Sequence, residues 1–223
     1  IPVYKLSENA NISDVWKEFI CFHSSSYFLS EFLHVFREHL SKDNALKVFT
    51  DRDNLRAGRR RIHLPGDTDV LMEAQISINT PVNESGSVLG VHVDNSNKLF
   101  AGLFYLRKPE DDSVGGNLRL YSWKKGYTMN EKIKAYKEGA LDEHVTLAKE
   151  IKYDSNVFVL WPNSLDALHA VSPRQRTEYA RTFVNLHGLM PFDGFQKGKL
   201  NFLENKVRQL KKVPSYIKRK LLV

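Results

Sequence analysis

Only one cysteine, Cys21, occurs in the 223 residues. A single thiol excludes an internal disulfide and any metal site built from several cysteines, and it fits a reducing compartment. No apolar run approaches the roughly 20 residues that a membrane span requires, and none near the start has the form of a secretory signal. The chain has no P-loop, no GxGxxG and no GxSxG, so none of the usual glycine-marked nucleotide or serine-hydrolase sites is written in it. Repeats and low-complexity tracts are missing too. These absences lead us to expect an intracellular, cytoplasmic protein without a transmembrane segment. The first residue is Ile rather than Met, from which a piece of a longer protein is expected.

What is present is the composition of a globular protein, with 42% hydrophobic and 26% charged residues. The length suits one well-cored domain over residues 1–223. Its expected parts are helical support over 1–65, a core over 70–190 and a basic helical tail over 195–223. The net charge of +7 is uneven: residues 195–223 hold nine Lys/Arg and one acid, a net of +8, leaving about −1 for the rest. Such a tail is either a solvated amphipathic helix or an attractor of nucleic acid or another anionic partner. A smaller basic cluster comprises Arg56, Arg59, Arg60 and Arg61.

Along the chain, residues 1–50 read as helical. Phe28, Phe32, Leu33, Phe36 and Leu40 recur at helical spacing after cap candidates among Ser24–Ser26. Residues 51–69 are polar, with Gly and Pro, and read as a long loop. From Val70 the pattern turns to strands. VLMEAQISINTPV puts Gln75, Ser77 and Asn79 on one face, which is either solvent-exposed or lines a polar pocket. Further strands are expected at the His92–Asp94 segment, LFAGLFYLRK, NLRLYSW, NVFVLWP, ALHAV and EYARTFVNLHG. Gly115-Gly116 marks a turn needing positive φ or close backbone approach. MNEKIKAYKEGAL reads as a solvent-facing helix inserted between strands. Helices at both ends around seven or eight short strands point to a mainly β, α+β domain, a β-sandwich or jelly roll.

Val91-His92-Val93-Asp94 carries the chemistry. In an extended chain His92 and Asp94 share a face. A His and a carboxylate there supply two ligands of a 2-His-1-carboxylate facial triad. His169, 75 residues after Asp94 in a short apolar strand, is the third candidate. The alternative is an accidental HxD pair and a core histidine. His23, His34 and His39 read as structural or exposed, and nothing in its spacing requires His63.

The order of motifs makes the pattern more specific. HVDNSNKLFAGLFYLRKPEDDSVGGNLRLY has an HxD, a hydrophobic strand ending in Tyr-Leu, an acidic loop and a Gly-Gly before a strand of the form xLxLY. DALHAVSPRQRTEYARTFVNLHG then places a histidine ahead of a strand that opens on a basic residue. Over about residues 70–190 this resembles the 2-oxoglutarate/Fe(II)-dependent dioxygenase superfamily, and most closely its prolyl 4-hydroxylase-like branch. The resemblance implies a double-stranded β-helix (jelly-roll, cupin-like) core, with His92, Asp94 and His169 as Fe(II) ligands. It implies 2-oxoglutarate as co-substrate, O2 as second substrate and ascorbate as a support. Arg181, twelve residues after His169, is the first choice for the distal carboxylate of 2-oxoglutarate, with Arg174 and Arg176 as alternatives. Glu178 falls where some relatives carry the basic residue. Tyr105 matches the tyrosine that hydrogen-bonds the same carboxylate; read alone, it is equally a core aromatic. Asn185 and His187 share the strand parity of Arg181, and His187 is a substrate or supporting residue rather than a ligand.

The expected activity is hydroxylation of a C–H bond, peptidyl proline favoured, with release of succinate and CO2. Two other functions compete with it. One is a cupin-like metal protein without this chemistry; the other is a nucleic-acid or anionic-surface module acting through the tail.

Overall fold

The structure, a computed structural model, describes Lys5 and residues 11–43, 46–52, 54–64, 66–86, 89–138 and 141–195. Except for Phe195, the basic tail expected over 195–223 lies outside the described residues.

Helices α1 (Asp14–His23), α2 (Ser26–Ser41) and the short α3 (Lys47–Thr50) come first. Ser25 starts α2: its hydroxyl oxygen accepts from the Phe28 N–H at 3.1 Å, satisfying one free donor of the first turn. Phe28, Leu29, Phe32 and Leu40 are the buried stripe of α2. They pack with Phe49, Val70, Met72, Phe100, Met190 and Phe192. Ile20 of α1 joins Ala74, Val184 and Leu186. The helices therefore cover one face of the sheet that these strand residues form.

That sheet has five strands in the order β1-β2-β8-β3-β6. They are β1 (Ala57–Arg59), β2 (Val70–Asn79), β3 (Lys98–Leu106), β6 (Ser155–Pro162) and β8 (Arg181–Leu189). β1 pairs parallel with β2; the other pairings are antiparallel. A second sheet has the order β5-β4-β7, formed by β4 (Leu118–Trp123), β5 (Val145–Ile151) and β7 (His169–Val171), with helix α4 (Met129–Glu138) leading towards β5. Single antiparallel bridges, Val82–Thr177, Gly86–Arg174 and His92–His169, join Val82, Gly86 and His92 to β7 and the stretch after it. Between the sheets lies a cluster with side chains from both: Tyr105, Leu118 and Tyr153, with Leu103, Leu120, Ile151, Val159, Trp161 and Phe183 packed on it. The molecule is thus a mixed α+β fold, mostly sheet, with few helices.

Three local expectations are corrected. Residues 51–69 are not all loop, because β1 adds to the edge of β2. The strand expected for His92 and Asp94 is a single bridge at His92 followed by irregular chain. A strand not foreseen, β5, lies within the 123–156 stretch. Among the described residues no helix is long and apolar enough to cross a membrane.

Candidate metal centre

His92 and His169 face each other across their bridge, each N–H donating to the other's carbonyl at 2.9 Å. Residues paired in this way present side chains on the same face, and the two imidazoles lie with centroids 4.3 Å apart. Asp94, two residues on, keeps the parity of His92, and its Oδ2 is 3.9 Å from His169 Nε2. The alternate residues Val91 and Val93 are buried in a separate apolar cluster with Leu168 and Ala170. Period-2 alternation thus survives in chain that is not a regular strand.

One ligand atom from each of His92, Asp94 and His169 lies within 4.8 Å of the others. This His-Asp-His group could hold a metal ion. The backbone fixes the histidines for that role. His92 Nδ1 lies 2.9 Å from the Gly90 carbonyl and His169 Nδ1 lies 2.8 Å from the Ala167 carbonyl. A carbonyl oxygen only accepts, so Nδ1 carries the proton and Nε2 keeps a lone pair to give. Burial, and secondarily His92, lower the pKa of His169 to about 4, against the smaller effects of Ala167 and Asp94. The ring is therefore neutral at neutral pH, as a ligand must be. For Asp94, burial alone raises the pKa, but Lys98, His169 and His92 outweigh it and hold the carboxyl below its usual value. Lys98 was not among the expected site residues, yet its Nζ donates to Asp94 Oδ1 at 2.6 Å.

On the large sheet, register sorts the side chains that face the small one. Glu73, His187, Ala101 and Trp161 form one cross-strand row, and Gln75, Asn185, Leu103 and Val159 the next. Asn79 pairs with Arg181, and Phe183 with Ser77 and Tyr105. The polar face of β2 is therefore set opposite the β8 residues Arg181, Asn185 and His187. The Trp161 ring is 5.0 Å from that of His169, a neighbour that sequence reading missed because the two lie on different sheets. Trp161 Nε1 and His187 Nδ1 are buried without hydrogen-bond partners.

Arg181 is 2% exposed. Its Nε donates to the Gly116 carbonyl at 2.9 Å and its Nη1 to Asn79 Oδ1 at 3.2 Å. The guanidinium stands over the rings of Tyr105 (4.9 Å), Tyr153 (5.1 Å) and Phe183 (4.6 Å). No carboxylate among the described residues forms an ion pair with it, and its Nη2 and the Tyr105 hydroxyl are buried and, apart from the contact of Arg181 with Tyr105 itself, without a partner. The glycine pair makes room: Gly115 and Gly116 have φ of +89° and +75°. A Cβ on Gly116 would sit 3.1 Å from Arg181 Cδ. Arg174 is also buried, but its Nη1 and Nη2 donate to the Thr80 and Tyr179 carbonyls, so it secures loops. Arg176 and Glu178 are exposed. His34, His39 and His63 are exposed, and His23 is tied to the Phe19 carbonyl.

The buried histidines carry a pH prediction. Burial, with Lys98 and Arg60 adding to it, lowers His187 to about 3. Unfolded, both His169 and His187 take up protons near pH 6.5. Between that pH and about 4 the unfolded chain binds more protons than the native one, so stability falls as pH falls. Each pKa unit is worth about 1.4 kcal/mol. Thermal melting of metal-free protein is expected to drop steadily from pH 6.5 to 4, and His187→Leu to flatten that slope. An unchanged slope would contradict the assignment of His187 as buried and neutral.

No protein-family model matches the chain, and neither does any curated protein.

Proposed function

We propose that the chain is a 2-oxoglutarate- and Fe(II)-dependent dioxygenase that hydroxylates a C–H bond of a further substrate. The observation that carries this reading is a buried arginine without an anion, Arg181, in the same domain as a metal-competent His-Asp-His group. An uncompensated charge inside a protein is costly. A dicarboxylate answers it if one carboxylate meets Arg181 Nη2 and the Tyr105 hydroxyl, donors with no partner beyond their mutual contact, while the keto-acid end turns to the metal. Arginine suits this role because it stays charged and offers paired donors. A metal protein without keto-acid chemistry leaves Arg181 unexplained.

Two imidazole nitrogens and one carboxylate oxygen suit Fe(II) and leave adjacent positions open. With iron bound, the centre supplies O2 activation coupled to loss of CO2 from the keto acid, giving succinate and a hydroxylated product. The chain's own part is positional. Gly90 and Ala167 orient the imidazoles, Lys98 turns Asp94, Arg181 and Tyr105 anchor the co-substrate, and Trp161 shields one side of His169. The strand order supports a jelly-roll reading: β2, β3, β6 and β8 belong to one sheet and β4, β5 and β7 to the other, with Val82, Gly86 and His92 joined by single bridges to β7 and the stretch after it. Peptidyl proline is the favoured substrate through the motif resemblance.

The test is succinate formation from 2-oxoglutarate with Fe(II) and ascorbate. Turnover that needs iron and disappears in His92→Ala is expected. Well-folded protein that neither turns over nor binds 2-oxoglutarate would contradict the proposal.

A further inference from the structure

Lys98 stands where a metal-site lysine needs a reason. Its ammonium is 2.6 Å from Asp94 Oδ1, and both side chains are only 15% exposed. This is not the solvent-screened surface pair that contributes little. The two carboxylate oxygens are divided: Oδ1 faces Lys98, while Oδ2 faces His169 Nε2 at 3.9 Å.

The turn that joins the two residues is held from several directions. Lys98 N–H donates to the Asn95 carbonyl at 2.9 Å. Asn163, 1% exposed, donates through Nδ2 to the Asn95 carbonyl at 2.9 Å and the Lys98 carbonyl at 3.2 Å. From the chain that follows β8, Met190 N–H donates to the Asn97 carbonyl and Gly194 N–H to the Ser96 carbonyl, each at 2.7 Å. Lys98 itself begins β3. Its backbone is thus fixed on the large sheet, while its side chain reaches back four residues to the ligand that lies towards the small one.

Resting on the dioxygenase reading above, we infer that Lys98 is a positioning residue of the metal centre, clamping Asp94 so that it meets a divalent ion through Oδ2 alone. Two physical consequences follow. Without metal, the ammonium compensates a largely buried carboxylate, so the three donors can stand together before an ion arrives. With metal, Oδ1 is already engaged, which disfavours two-oxygen chelation and keeps a coordination position open for other ligands. A cation beside a dication is repulsive, but the ammonium sits on Oδ1, away from the oxygen that faces His169, and the orientation it gives Asp94 outweighs that repulsion.

Mn(II) alone is the probe, its free concentration followed by electron paramagnetic resonance during titration. Loss of an outer partner that orients a metal ligand typically costs 10–100-fold in affinity. Lys98→Met is therefore expected to bind Mn(II) about 10–100-fold more weakly than the unaltered chain, and Lys98→Arg to recover at least tenfold of that. If Lys98→Met does not stay folded, Lys98→Gln replaces it, with a loss of the same order expected. Lys98→Met affinity equal to the unaltered chain, or no recovery with Lys98→Arg, overturns the role of Lys98 and leaves the centre standing. Failure of the unaltered chain itself to bind Mn(II) overturns the centre, and the role of Lys98 with it.

Discussion

His169→Ala is expected to abolish tight binding of a divalent metal while leaving the fold intact. The substitution removes Nε2, one of only two imidazole donors in the group. The affinity loss should exceed the ~10–100-fold that goes with an outer partner. The backbone bridge to His92 uses main-chain atoms and survives. A buried ring with a pKa of about 4 also disappears, so the fall in melting temperature between pH 6.5 and 5 should be smaller than in the unaltered chain, with the His187 part remaining. Metal titration and thermal melting of the same preparation separate the two effects. Unchanged metal affinity would show that the cluster is only a packed group of histidines.

Arg181→Met is expected to have the second large effect, on 2-oxoglutarate rather than on metal. Removing one partner of a buried charge pair costs ~3–5 kcal/mol, and each ~1.4 kcal/mol is tenfold. Affinity for 2-oxoglutarate should therefore fall by roughly two to three orders of magnitude. Mn(II) affinity should stay within about threefold, because no ligand atom is touched. Metal-free stability changes less: the Gly116 carbonyl and Asn79 Oδ1 lose a donor, at ~1–3 kcal/mol each if left buried and unpaired. Relief of an uncompensated guanidinium offsets part of that. Equilibrium dialysis with 2-oxoglutarate checks the prediction, and Arg174→Met serves as the comparison. If Arg174→Met lost the co-substrate and Arg181→Met did not, the anchor would be misassigned.

Arg174 and Arg181, two of the three arginines considered for the co-substrate, were hard to separate in the sequence for a structural reason. They lie seven residues apart around the turn that leads into β8, and spacing from His169 does not say where the strand begins. The strand starts at Arg181, which aims this side chain under Gly116, whereas Arg174 turns back to Thr80 and Tyr179. The pairing of His92 with Asp94 was legible because alternation of valines and candidate ligands needs only extended chain, even where the ladder is a single bridge. Lys98 was not legible: its contact spans an Asn-Ser-Asn turn, and neither helical nor strand period points to it. β5 escaped notice because five of its seven residues are exposed, so VTLAKEI has no buried face to write a pattern. β1 is three residues in an arginine-rich stretch, and its pairing with β2 is a tertiary effect that local sequence does not carry.

The most direct measurement is an anaerobic titration of Fe(II)-loaded protein with 2-oxoglutarate, followed by visible charge-transfer absorption of the chelated keto acid. The account predicts a band that saturates at one equivalent, is lost in His169→Ala and needs far more 2-oxoglutarate in Arg181→Met. Absence of the band from folded, iron-loaded protein, or its persistence in His169→Ala, would contradict it.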